Sequence, residues 1–274
     1  MGKKYDVLIV GGGPAGISAA LTVCSRGKSA GVIGNPPDTS KLYLAEQINN
    51  YPGLSGTGAG LLNAMRAQLE NSSAAIIEGK ALTVMPLGAT IGVAVGNDFF
   101  EAQSVIIASG IGRKALCEGE SKFLGRGVSY CATCDGMLYR GKTVAVIGDS
   151  EEAKHDIEFL KSIGCEVLGF GGNEKIDILG EDRADTLVVK GIEYKTDCIF
   201  ILKDSIMSES LVPGIENDRG IIKCDRDGKT NINGVFAAGD CTGAPYQLAK
   251  AVGEGNVAAL SACRFIDNKT KEKL

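Results

Sequence analysis

A single histidine, His155, stands among 274 residues. It falls on a predicted surface helix, where a solvated imidazole is a poor choice for a general base. No apolar run approaches the length of a membrane span, and with a first strand predicted by Tyr5 no signal peptide is expected. No long Lys/Arg block offsets a formal net charge of −4, which speaks against a nucleic-acid-coating surface; the basic stretch from Asn268 to Leu274 reads as a frayed end. Low-complexity tracts are absent too, so the 38 glycines point to tight strand-to-helix turns of an α/β protein. Nine cysteines, an odd number without a secreted-scaffold spacing, fit a reducing cytoplasm.

What is present centres on Tyr130-Cys131-Ala132-Thr133-Cys134-Asp135-Gly136. Three readings suit a CxxC pair: half of a zinc site, two buried structural cysteines, or a redox-active dithiol. Zinc normally wants a second pair, and Cys24, Cys117, Cys165, Cys198, Cys224, Cys241 and Cys263 are widely separated singles; no metal is expected. Cysteines at i and i+3 on a first helical turn can close a small ring, and a helix N-terminus favours a thiolate. Asp135 beside them can shuttle a proton, which favours the redox reading.

Upstream, the apolar run Tyr5 to Val10 leads into Gly11-Gly12-Gly13-Pro14-Ala15-Gly16 and a helix predicted from Ile17 to Ser25. In a strand–turn–helix context this GxGxxG is a dinucleotide fingerprint. Gly11 makes the tight turn, Gly13 admits a pyrophosphate to the backbone, and Gly16 allows helix and strand to pack closely. The second strand, Ser29 to Ile33, ends not at the expected acid but at Gly34-Asn35, so Asn35 becomes the candidate for the ribose hydroxyls.

Asn49-Asn50-Tyr51-Pro52-Gly53, Val105-Ile106-Ile107-Ala108-Ser109-Gly110, the CATCD motif and Gly234-Val235-Phe236-Ala237-Ala238-Gly239-Asp240 follow one another as in the low-molecular-weight thioredoxin reductases. The chain resembles that family over most of its length. The resemblance implies two Rossmann-like (three-layer ββα) domains. One is a discontinuous FAD domain, 1–112 and 205–274; the other is an inserted, reduced CxxC domain, 115–203. The links near Gly110-Ile111-Gly112 and Lys203-Asp204 would hinge. It further implies that FAD contacts Gly11, Gly13, Pro14, Ala15, Gly16, Asn35, Asn50, Ala108, Gly110, Gly239, Asp240 and Gln247. Tyr246 stands where the family has arginine, placed to stack on the flavin or only to pack. Cys134 would lie against the flavin, Cys131 would attack the substrate disulfide, and Asp135 would serve as acid/base.

The resemblance weakens at the second dinucleotide site. After the strand Thr143 to Ile147 the turn reads Gly148-Asp149-Ser150-Glu151-Glu152-Ala153, placing acids where a pyrophosphate should sit. Beyond Glu166 to Phe170 comes Gly171-Gly172-Asn173-Glu174, and no arginine follows until Arg183 to meet a 2′-phosphate. The nearest resemblance is therefore to the ferredoxin-dependent flavin thioredoxin reductases, with ferredoxin as donor, thioredoxin as acceptor and a homodimer as the assembly. An NAD(P)H-dependent reductase, a diflavin disulfide oxidoreductase and an FAD-binding redox sensor are the alternatives. Arg113, Lys114, Lys122, Arg126, Arg140 and Lys142 are candidates for an acidic partner's docking patch.

Overall fold

The computed structural model describes residues 3–37, 40–111, 117–129, 132–148, 151–171, 175–202, 211–218 and 220–271. In chain order the first elements are β1 (Lys4–Val10), α1 (Pro14–Ser25), β2 (Ala30–Gly34), α2 (Lys41–Leu44), β3 (Ile48–Tyr51), β4 (Leu54–Gly56), α3 (Gly58–Glu70), β5 (Ala75–Glu78), β6 (Ala81–Pro86), β7 (Ile91–Val95) and β8 (Asp98–Ile107). Next come α4 (Glu120–Phe123), β9 (Val128–Ser129), α5 (Ala132–Asp135), β10 (Thr143–Ile147), α6 (Glu151–Ser162), β11 (Glu166–Phe170), β12 (Ile176–Gly180), β13 (Ala184–Val189), β14 (Ile192–Lys195) and β15 (Cys198–Ile201). The chain closes with β16 (Asn217–Asp218), β17 (Ile221–Ile222), β18 (Val235–Ala237) and α7 (Leu248–Lys271). These divide into two compact α/β units: Met1–Tyr43 with Ala59–Arg113 and Ser205–Leu274, and Leu44–Gly58 with Lys114–Asp204.

The first unit is built on a seven-stranded sheet of order β5-β2-β1-β8-β7-β6, with β18 also beside β8. Val7, Leu8, Ile9 and Val10 are all buried, a continuous apolar run of the kind a strand needs when both faces of a parallel sheet are covered. On its edge away from β1, β8 is long enough to serve two neighbours: its first half takes β7 antiparallel, and Val105 to Ile107 take β18 in parallel. A small residue of α7 lets it approach α1 closely, because a Cβ on Gly255 would lie 2.1 Å from the Ala15 carbonyl oxygen. Ser18 Oγ donates to the Val252 carbonyl at 2.7 Å across the same interface.

The second unit repeats the plan on a smaller scale. Its parallel sheet runs β11-β10-β15-β9, and β12-β13-β14 forms a separate antiparallel sheet. Its core joins Ala145, Ile147, Ile199 and Ile201 on one sheet face to Ile176, Ile178, Leu187 and Val189 of the antiparallel sheet. Val144, Val146, Cys198 and Phe200 on the other face pack under Ala132, Tyr139 and Leu160. The structure departs from the sequence reading at Leu44–Gly58, which was assigned to the first domain but packs with the second unit. This segment is a short hairpin, β3–β4, whose residues carry no local signal for which core they join. The expected hinge at Gly112 and Lys203-Asp204 lies outside the described residues.

Candidate active site

The first unit's candidate residues gather at the carboxyl ends of parallel strands, where the ladders run on into the turns. Gly11 N–H donates to the Ile33 carbonyl at 2.7 Å, Ala108 N–H to Val10 at 2.8 Å, and Ala238 N–H to Ile107 at 2.9 Å. Gly11, Asn35, Ala108 and Gly239 are thereby brought to one sheet edge, at the point between β1 and β8 where the strand order reverses and α/β folds hold ligands. Gly11, at φ +126°, has no room for a side chain, since a Cβ would stand 2.0 Å from the Ala108 carbonyl oxygen. A Cβ on Gly16 would stand 1.8 Å from the Gly11 carbonyl oxygen, whereas one on Gly13 would meet nothing within 4 Å. The turn is thus closed at Gly11 and Gly16 and open at Gly13. Gly13 caps α1 with no side-chain hydrogen bond, Pro14 opens the helix, and no acid lies in its first turn.

That combination of open glycine, uncapped N–H groups and unopposed helix dipole fits a dinucleotide diphosphate. Gly239, at φ +83°, abuts the same turn, its added Cβ falling 2.8 Å from the Ala15 Cβ. Asp240 follows it directly. Gln247 leads into α7, accepting from the Ala251 N–H at 3.0 Å, with half-buried Tyr246 just before it. Gly110, at φ +64°, lies two residues beyond Ala108. Asn50 is the exception, since it sits on β3 in the second unit.

In the second unit β9 ends at Ser129, α5 runs from Ala132 to Asp135, and a 3-10 turn follows from Gly136 to Tyr139. Cys131 lies outside the described residues, and Cys134 is placed only by its backbone within α5. The helix expected around the pair is a single turn, so its dipole lends a thiolate far less than a longer helix would. Gly136 seats the segment on α6, where a Cβ would lie 2.9 Å from Leu160 and 3.0 Å from Phe159.

Asp135 is held by one oxygen. Buried Ser129 donates its hydroxyl to Oδ2 at 2.7 Å, while Oδ1 is buried with no hydrogen-bond partner among the described residues. Burial pushes the carboxyl above its ordinary value of 3.8, the Ser129 bond pulls it down, and the charge of Glu46 pushes it up. The net direction is upward, toward a carboxylic acid that can give its proton from Oδ1 and take one back.

Three neighbours escaped the sequence reading. The Cys198 thiol is buried beneath Asp135's element, close to the Tyr139 hydroxyl. Arg183 reaches that hydroxyl from outside at 3.2 Å and the Asp197 carbonyl at 3.1 Å. No spacing in the chain links these positions; only the cover of the 3-10 turn over β15 brings them together. Burial raises the thiols of Cys198, Cys224, Cys241 and Cys263, that of Cys241 to about 12. With their thiols held up in this way, none of the four is poised to compete as a thiolate nucleophile.

The second turn opens on a glycine as confined as Gly11 but lacks the first one's ligand features. Gly148, at φ +158°, has its added Cβ 2.1 Å from the Leu202 carbonyl oxygen, and α6 opens with Glu151 and Glu152. Asp149, Gly172, Asn173 and Glu174 lie outside the described residues, as do Arg113 and Lys114. Lys122, Arg126, Arg140 and Lys142 are exposed. His155 is exposed on α6. Among the described residues no group of three or more His, Cys, Asp or Glu converges as a metal site, and no helix is long and apolar enough to cross a membrane.

Residues 5–168 and 172–255 match the pyridine nucleotide-disulphide oxidoreductase family. The chain is 30% identical to a thioredoxin reductase of Treponema pallidum (strain Nichols) over 303 residues, 97% of this chain and 99% of that one. Among solved structures it is similar to thioredoxin reductase from Streptococcus pyogenes MGAS5005 (TM-score 0.86, 25% identity, covering 98% and 100% of the two chains). It is also similar to a ferredoxin-flavin thioredoxin reductase from Clostridium acetobutylicum (TM-score 0.61, 39% identity, covering 96% and 98%). With a fingerprint turn open to a diphosphate in one unit and a carboxyl-flanked CxxC in the other, the chain belongs to the pyridine nucleotide-disulphide oxidoreductases, flavoproteins whose cofactor is FAD.

Proposed function

We propose that the chain is a ferredoxin-fed thioredoxin-disulfide reductase, acting as a cytoplasmic homodimer. The observation that carries the choice of donor is the start of α6. A nicotinamide dinucleotide would have to rest its diphosphate where Glu151 and Glu152 open the helix, and like charge there opposes it. The 39% identity to the ferredoxin-flavin enzyme supports the same choice. The rival reading, an NAD(P)H-fed reductase, draws on Gly148, which is as confined under its neighbouring strand's carbonyl as Gly11.

Bound FAD supplies electron transfer, taking up electrons singly and releasing them in pairs. In the proposed reaction the chain's own part begins from the Cys131–Cys134 dithiol. The Cys131 thiolate attacks one sulfur of the thioredoxin disulfide, forming a mixed disulfide and releasing one thioredoxin thiolate. The Cys134 thiolate then attacks Cys131 Sγ, which closes the chain's disulfide and releases the second. Two electrons pass from dithiol to disulfide, and two protons must move from the chain's thiols to those leaving. Asp135 moves them through Oδ1 while Ser129 keeps Oδ2 in place. Exposed Lys122, Arg126, Arg140 and Lys142 offer positive charge to an acidic donor protein.

The test is anaerobic. Oxidised holoprotein is mixed in turn with NADPH, NADH and reduced ferredoxin while flavin absorbance is followed. Ferredoxin is expected to bleach the flavin fully, more slowly as salt is raised, and the nucleotides to leave it oxidised. Rapid full bleaching by stoichiometric NADPH would overturn the ferredoxin reading.

A further inference from the structure

Lys250 and Glu254 lie one turn apart near the start of α7 and fold back over the turn that carries Asp240. Glu254 Oε2 accepts from three donors: the Gly239 N–H at 2.8 Å, the Thr242 hydroxyl at 2.9 Å and Lys250 Nζ at 3.0 Å. Lys250 Nζ also donates to the Gly239 carbonyl at 3.1 Å and to Thr242 Oγ1 at 3.0 Å. Both backbone polar groups of Gly239 are therefore engaged by one ion pair, the carbonyl also lying 2.7 Å from the Thr242 hydroxyl. The pair is not an ordinary surface i,i+4 bridge, since the Lys250 side chain is only 16% exposed and its other partners are backbone and hydroxyl oxygens.

The same turn presses on the phosphate turn of β1–α1. Gly239 abuts the Ala15 side chain, and Gly255, one residue after Glu254, abuts the Ala15 carbonyl. A carboxylate at 254 thus ties together three things: the Gly239–Asp240 turn, the first turns of α7 and, through Ala15, the head of α1. Without it the Gly239 N–H, on a buried residue, loses its acceptor, and the Lys250 ammonium loses its counter-charge.

We propose that Lys250 and Glu254 are positioning residues for FAD: they hold the Gly239–Asp240 turn in register with the Gly11–Gly16 turn, so that one cofactor can meet both. The proposal rests on the reading that Asp240 contacts FAD. Removing a hydrogen-bonded charge of this kind should speed FAD release about tenfold or more.

The experiment uses holoprotein. FAD release is followed by flavin fluorescence after dilution at 25 °C, and on heating it is compared with unfolding by circular dichroism in the same samples. Wild type is expected to lose FAD only as it unfolds. Glu254→Ala and Lys250→Met are expected to release FAD faster at 25 °C and at temperatures below unfolding, and Glu254→Gln, whose amide oxygen still accepts from Gly239, to recover most of the loss. If Glu254→Ala fails to fold, Glu254→Gln and Lys250→Met carry the comparison. Variants that unfold earlier yet keep the wild-type release rate would make the pair merely structural and overturn the proposal. Asp240→Ala separates the two layers. Faster release in Asp240→Ala but not in the pair's variants defeats the positioning role alone, whereas unchanged release in Asp240→Ala defeats the reading beneath it.

Discussion

The two units carry a strand and a helix at corresponding places and join them with different residues. Gly148 follows Gly11, Glu151 follows Pro14 and Ser162 follows Ser25 at one constant interval, so both helices span 12 residues. The ladders continue alike: Gly148 N–H donates to Phe170 at 3.0 Å and Leu202 N–H to Ile147 at 2.8 Å, matching the pair made by Gly11 and Ala108. Ala153, buried, occupies the position of Gly16. What the second unit lacks is the open middle glycine, replaced by Ser150, and an uncharged first helical turn. Part of the fingerprint therefore belongs to the fold, and part belongs to the ligand. Gly11 and Gly148 are needed wherever a strand must turn under its neighbour's carbonyl; Gly13 and a neutral helix start are needed only where a phosphate comes in.

If that division holds, the largest effects fall on the fold's share and fall on both units alike. Gly11→Ala and Gly148→Ala each place a Cβ about 2 Å from a backbone oxygen, at a φ that disfavours side chains. Each should cost about 3 kcal/mol or more, read as a shift in denaturant midpoint. A harmless Gly148→Ala would break the comparison, because its turn would then be a relic without a structural task.

The next effect asks where the second unit does its chemistry if not at its turn. Under the proposed function it lies at the end of β9, so Asp135→Asn should slow thiol–disulfide exchange about a hundredfold without releasing FAD. Its effect on stability runs the other way. A carboxyl whose folded-state value is raised above 3.8 favours folding below that value, and the benefit is lost as pH rises through the raised one. As pH rises past the raised value the folded chain holds a carboxylate that its burial resists, so Asp135→Asn should gain more in melting temperature at pH 8 than near pH 4. Equal melting differences at both pH values would show that Asp135 titrates normally.

Much of this division could be read from the chain, and its limits were physical. Val7 to Val10 followed by spaced glycines is a local pattern, and so was its acidic counterpart at Gly148. The membership of Leu44–Gly58 was not legible, because a hairpin of four- and three-residue strands takes its place from packing alone. Tyr139, Arg183 and Cys198 were invisible for the same reason, brought near one another only by packing over β15. Lys250 and Glu254 looked like a routine helical pair; only the fold-back onto Gly239 gives them an address.

A smaller effect transplants the second unit's feature into the first. Pro14→Glu sets an acid where Glu151 stands in α6. An acid at a helix start favours the helix by about 0.3–1 kcal/mol, so folding should not suffer, whereas a bound diphosphate meets like charge. FAD release should quicken about tenfold while the unfolding temperature stays level or rises. A parallel fall in both would mean that Pro14 serves the fold rather than the ligand.

The smallest effect separates Ser129 from the acid it holds. Burial raises Asp135 and the Ser129 hydroxyl lowers it, so Ser129→Ala removes the one described contact favouring the carboxylate. The carboxyl should keep its proton to higher pH, moving both limbs that depend on it upward and changing exchange at neutral pH by about twofold to tenfold. The stability change has the same sign: the lost bond belongs to the ionised form, so Ser129→Ala should cost more at pH 8 than at pH 4. Ser129→Thr, which keeps a hydroxyl, should restore the profile. The measurement is the pH dependence of dithiol exchange in all three proteins, and a Ser129→Ala profile lying on the wild-type curve would leave burial alone in charge of Asp135.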